Sequence, residues 1–171
     1  MKIFGAIMVI TGTTCWGFWF SGRLQKRLRS VREFLYFLES LWTEISYGLK
    51  PLPEAITIAA CDMKGPARRM MHNIAIGLRQ GDGISVSEAW RREFLLAAEN
   101  LAVGREESEA LLSLGGSLGG SGREDQLRLI QAARERLKIR ENLLEGETAR
   151  KVKLWRYLGF MAGAALVAVF Y

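Results

Sequence analysis

Residues 121–171, SGREDQLRLIQAARERLKIRENLLEGETARKVKLWRYLGFMAGAALVAVFY, decide how the rest of the chain is read. Ser121-Gly122-Arg123-Glu124 has the form of a capping box, in which the Ser side chain accepts from a first-turn N–H and the Glu reaches back to the cap. No proline follows, and only Gly146, Gly159 and Gly163 interrupt good helix formers. One helix over that length would run roughly 75 Å, far more than a compact domain of this size needs. Its character changes on the way: 16 of the 34 residues from Arg123 to Arg156 are charged, and none after Arg156 is. A helix that begins in water and finishes in an uncharged apolar run is expected to enter a membrane.

The other end has the mirrored plan. Residues 3–22 carry no charge, which is enough to cross a hydrocarbon core of about 30 Å. Arg23, Lys26, Arg27, Arg29 and Arg32 follow at once. A cleaved signal peptide is the competing reading, since Met1-Lys2 supplies a weak basic start. However, bulky Trp16, Phe18, Trp19 and Phe20 stand where a small-x-small cleavage site belongs, so an uncleaved anchor is expected. The domain plan is then a first span over 1–22, a helical bundle over 23–153 and a second span over 154–171.

The formal charge of +6 could suggest a nucleic-acid partner, but its placement argues otherwise. Five basic residues crowd the exit of the first apolar run, and Arg150, Lys151, Lys153 and Arg156 crowd the start of the second. Leaving out these nine turns +6 into −3 for the rest, so the bundle itself is not basic and no nucleic acid is expected to bind it. A membrane-tethered nucleic-acid-binding or regulatory protein is the alternative this arithmetic disfavours. Cytoplasmic flanks collect Lys and Arg, which puts the bundle in the cytosol and both termini across the membrane. Anionic lipid headgroups would attract the same collar. Cys15 lies in the first apolar run and Cys61 in a helix of a reducing compartment, so no disulfide is expected.

Leu24, Leu28, Val31, Leu35, Leu38, Trp42, Ile45 and Leu49 alternate spacings of four and three, a helical apolar seam. Phe34, Phe37 and Leu41 widen it, which favours packing inside a bundle over a bare coiled coil, with self-association between copies as the other reading. Gly48 and Pro51 end that helix. Pro53-Glu54 opens a short one through about Asp62, Pro66 starts another up to the Gly81-Asp82-Gly83 break, and Ser85-x-x-Glu88 is a second capping box. A helix from about Arg105 to Leu118 precedes the closing one, whose inner stripe is Leu127, Ile130, Ala133, Leu137 and Leu144. No alternating run bounded by turns suggests a strand. The expected fold is all-α: a six-helix bundle whose long first and last helices continue into single transmembrane spans.

The run from Gly115 to Gly122 invites a phosphate loop, but a P-loop needs Gly-Lys-Ser/Thr at its end, and Ser121 follows Gly120 with no lysine nearby. It reads instead as an interhelical turn. His72 is the only histidine and has no Cys or carboxylate at i±4 for a metal pair; no Ser sits in a nucleophile elbow. No cofactor, metal or catalytic residue is expected, and the chain is read as no enzyme. The candidate partner-binding residues are the carboxylates near the glycine turn, Glu124 and Asp125 with Glu106 and Glu107, together with the amide Gln126. Gly159 and Gly163 form a small-residue stripe suited to close packing of helices in lipid.

Taken together, the chain resembles stage III sporulation protein AB of endospore-forming bacteria over its full length. The resemblance rests on Glu44-Ile45-Ser46-Tyr47-Gly48 followed by Pro51-Leu52-Pro53-Glu54-Ala55, and on Glu88-Ala89-Trp90. Its most specific part is Leu118-Gly119-Gly120-Ser121-Gly122-Arg123-Glu124-Asp125-Gln126, ahead of a C-terminal span beginning Leu158-Gly159. Gly122 departs from the family's turn, where Asp is expected. The resemblance implies a bundle like the cytoplasmic domain of the type II secretion platform protein. It further implies a place in the mother-cell membrane within a channel-like complex feeding the forespore. The implied partners are a secretion-type ATPase and other membrane subunits of that complex.

Overall fold

The computed structural model describes the backbone of residues 2–48, 50–80, 83–120 and 122–170, and the side chains of residues 22–48, 50–80, 83–120 and 122–150. Six helices are described: α1 (Lys2–Tyr47), α2 (Leu52–Ala59), α3 (Gly65–Gln80), α4 (Val86–Ala97), α5 (Arg105–Ser117) and α6 (Arg123–Phe170). No strand occurs among the described residues. The chain divides into two compact units, one of Arg29–Glu141 and one of Met1–Leu28 with Asn142–Tyr171.

Each break in the Arg29–Glu141 unit has a local cause. α1 stops where the Gly48 N–H bonds back to the Glu44 carbonyl at 2.9 Å and Pro51 forbids further helix. α2 carries Pro53 in its first turn and Glu54 where the helix dipole favours an acid. Gly65, at φ +58°, supplies the left-handed backbone that starts α3. Ser85 caps α4 by accepting the Glu88 N–H at 3.2 Å. Gly104 precedes α5, and its N–H donates at 2.6 Å to Glu107 Oε2, which reaches back from the third helical position. α6 begins at Arg123, with the Gly122 carbonyl accepting the Gln126 N–H at 3.0 Å. The helix therefore starts one residue later than the sequence suggested, and Ser121, on which the expected capping box rests, lies outside the described residues.

The core differs from the expected seam in its centre. Val31, Leu38 and Ile45 of the α1 seam are buried, whereas Leu35 and Trp42 are only half-buried. Phe34, Phe37 and Leu41, expected merely to widen the seam, are fully buried. α1 thus packs by a broad face against several neighbours, as a bundle helix does, rather than by a narrow stripe against one. Trp90 of α4 lies at the middle of this core, 6.4 Å from the Phe37 ring. Its indole rests on Gly115 of α5, where a Cβ would come within 2.1 Å of Cγ and Cδ1. Gly115 and Gly116 lie within α5, and the turn expected of the glycine run begins only at Leu118, with Gly119 at φ +91° against Val86.

In the second unit, Leu24 and Leu144 are buried. Among the described residues no helix is long and apolar enough to cross a membrane. The uncharged runs on which the expected spans rest continue α1 and α6 as helix over residues 3–22 and 157–170, and Tyr171 lies outside the described residues. Apart from Gly22, their side chains lie outside the described residues, as does the Gly159–Gly163 stripe.

Candidate functional site

α5 and α6 follow one another closely and pair antiparallel, the α5 start meeting Arg140, which separates the expected acidic patch into two sites. Glu124 and Asp125 are exposed on the first turn of α6, Gln126 is half-buried, and Glu124 lies 3.6 Å from Arg128 one turn on. Glu106 and Glu107 stand at the start of α5, at the far end of the pair, where both meet Arg140 of α6 at 2.8 and 3.1 Å. Residues 124 and 140 are 16 positions apart, or about 24 Å of helix. The single patch expected from sequence is corrected accordingly: residues near in order at a hairpin's turn stay close, but those at its open end do not. Glu107 is corrected further. It is 0% exposed, with one carboxylate oxygen on the Gly104 N–H and the other on Arg140 Nε, so it holds the α5 start to α6 and offers no surface.

Within the Arg29–Glu141 unit, α1 and α6 are laced by polar contacts in antiparallel register. Arg123 donates through Nε to the Ile45 carbonyl at 2.8 Å and through its second guanidinium nitrogen to the Ser46 carbonyl. That fork satisfies two of the carbonyls a helix C-terminus leaves open. Arg134 pairs with Glu39 at 2.9 Å, and Arg32 with Glu141 at 2.8 Å. A groove of ≈ 350 Å³ runs between the helices, lined in part by Leu35, Tyr36, Glu39, Gln131 and Arg134. Glu141, at its end, is nearly buried and also accepts from Lys138 Nζ at 2.6 Å. The Lys138 hydrogen bond, together with Arg32, outweighs desolvation and holds the Glu141 carboxyl below its ordinary range.

These contacts brace the bundle. His72 is exposed, and among the described residues no group of three His, Cys, Asp or Glu side chains could hold a metal ion. Sequence reasoning missed Arg123, Arg140 and Glu141. Only Glu141 carried a signal: it stands in the core phase of α6, four residues after Leu137 and three before Leu144, where a carboxylate must find partners.

Comparison with known proteins places this arrangement among relatives. The model of a family described as stage III sporulation protein AB matches residues 2–171. The stage III sporulation protein AB of Bacillus subtilis (strain 168) is 29% identical over 167 residues, covering 98% of this chain and 97% of that protein. A solved structure of stage III sporulation protein AB superposes with a TM-score of 0.66 at 27% identity, covering 72% of this chain and 97% of the solved one.

Proposed function

Because the chain belongs to the stage III sporulation protein AB family, we propose that it is a non-enzymatic membrane platform of a sporulation-specific, secretion-like channel complex. In this reading α1 and α6 anchor it in the mother-cell membrane around the forespore. Its bundle faces the cytosol and docks a secretion-type ATPase, and its two uncharged runs pack against other membrane subunits. One observation carries the reading. The contacts from Arg123–Ile45 through Arg134–Glu39 to Arg32–Glu141 run α1 and α6 antiparallel, so both leave the Arg29–Glu141 unit at the same end. Each then continues as helix into a run with no charge, behind a collar of basic residues. A two-legged membrane anchor needs that geometry.

Cys61 provides the test, because it is exposed on the bundle and the chain's other thiol is Cys15. In a Cys15→Ser chain, an impermeant maleimide should modify Cys61 only after sporulating cells are permeabilised. Labelling in intact cells would overturn the orientation, and release of the chain by alkaline carbonate would overturn the anchoring. Co-purification of a secretion-type ATPase with the membrane-extracted chain is the expected outcome for the platform role; its absence under mild extraction removes that role.

A further inference from the structure

We propose that the outer face of the α3–α4 pair is a docking site for an acidic amphipathic helix of a partner protein. This deepens the platform reading, on which it rests for the partner's presence, by naming the surface and the chemistry that fits it. Leu95 and Leu96 are consecutive on α4 and 59% and 69% exposed, although the core is otherwise well supplied with leucine. Consecutive positions lie about 100° apart on a helix, so the two make a broad apolar shelf rather than a stripe. Ile76 of α3 adds a partly exposed methyl-rich side chain on the same pair.

The register of the pair places charge around that shelf. Asn73 Nδ2 donates to Glu93 Oε2 at 2.9 Å, and the short connection between α3 and α4 makes them antiparallel. Three residues on from Glu93 stands Leu96; three residues back from Asn73 is position 70, so exposed Arg69 is about level with Leu96. Exposed Arg92 lies one turn before Leu96 on α4 itself. α3 has no carboxylate, and the two helices together carry Arg68, Arg69, Arg79, Arg91 and Arg92 against Glu88 and Glu93. Glu93 accepts from Asn73 and lies 4.0 Å from Arg92 Nε, and the Arg92 side chain stays 69% exposed beside it.

Packed helices stand 8–10 Å apart, which leaves between them a shallow trough of the width that a third helix fills. Its occupant must bring apolar side chains to Leu95 and Leu96 and carboxylates to Arg69 and Arg92. A second copy docked by two-fold symmetry would set these arginines against themselves, which costs rather than gains. A flat anionic bilayer would press on Glu88 and Glu99 at the two ends of α4, both exposed. A helix can instead place its charges residue by residue.

The test uses the full chain in zwitterionic nanodiscs. The probe is a fluorescein-labelled synthetic peptide of about three heptads with one Leu stripe flanked by Glu. Saturable binding is expected, weakened by salt, and absent for a scrambled peptide of the same composition. Arg69→Glu with Arg92→Glu should weaken it at least about tenfold, and so should Leu95→Ser with Leu96→Ser. All four side chains are exposed, so both variants should keep the parent's melting curve; the two pairs check each other if one does not fold. Equal binding by parent and both variants overturns the proposal. So does sedimentation as a dimer that the leucine variant abolishes, or binding only to phosphatidylglycerol vesicles. ATPase co-purification without peptide binding sinks this inference and spares the platform; the converse sinks the platform and spares the face.

Discussion

Gly115→Ala and Gly116→Ala are neighbours in one glycine-rich run, yet they should move stability in opposite directions. At Gly116 a Cβ meets nothing within 4 Å, and the residue lies inside α5. Alanine there should stabilise by roughly 0.5–1 kcal/mol through helix propensity and a less disordered unfolded chain. At Gly115 the same methyl falls 2.1 Å from Trp90 Cγ and Cδ1 and 2.5 Å from Nε1. Carbon–carbon contacts settle near 3.5–4.0 Å, so the indole or the helix must give way by roughly 1.5 Å. Trp90 is fully buried and stands beside Phe37, so it has nowhere to swing. Overpacking of this kind costs about 1–3 kcal/mol and sometimes more, and a clash with a rigid ring belongs at the upper end. After the propensity gain is subtracted, Gly115→Ala should lose about 2 kcal/mol. The two variants should then differ by nearly 3 kcal/mol, or on the order of 10 °C in melting temperature for a chain of this size. Far-UV circular dichroism melts of the full chain read this directly. Trp90→Phe in the Gly115→Ala background should recover at least about 1 kcal/mol of the loss, because the smaller ring retreats from the new methyl. It also removes an indole N–H that has no hydrogen-bond partner in the structure. Equal melting of the two alanine variants would refute the packing argument.

Arg140→Met removes the guanidinium that stands 3.1 Å from Glu107, a carboxylate that is 0% exposed. It should cost about 3 kcal/mol in urea unfolding, with Glu107→Gln/Arg140→Met less costly than Arg140→Met alone. Glu141 titrates below its ordinary range in the folded chain, so its contribution to stability is present above the unfolded carboxyl's pKa and is lost as pH falls through the folded one. Glu141→Gln should therefore destabilise at neutral pH and narrow its gap to the parent below about pH 4, as denaturant midpoints across that range would show. Arg123→Lys keeps the charge but not the fork that reaches the Ile45 and Ser46 carbonyls; a loss of about 1 kcal/mol is expected, with faster amide exchange at the end of α1. Identical exchange in the parent and the lysine variant would remove that capping role.

Much of the architecture was legible because it is written locally. The proline and glycine breaks, the Ser85 cap and the 3.5-residue apolar spacing each act over a turn or two of chain, and they account for the helices and their inner faces. The change from charged to uncharged sequence along α6 is likewise a property of residue order alone. Only the tertiary structure decided which face of α1 lies deepest, because Phe34, Phe37 and Leu41 are ranked against Leu35 and Trp42 by the helices around them. It also decided that Glu107 is a buried brace while Glu124 is surface, since both are helix-start carboxylates until the α5–α6 hairpin brings Arg140 to one of them. Gly115 and Gly116 differ by nothing in the sequence. What separates them is a tryptophan from another helix, and contact between residues distant in the chain is the one property that local order does not encode.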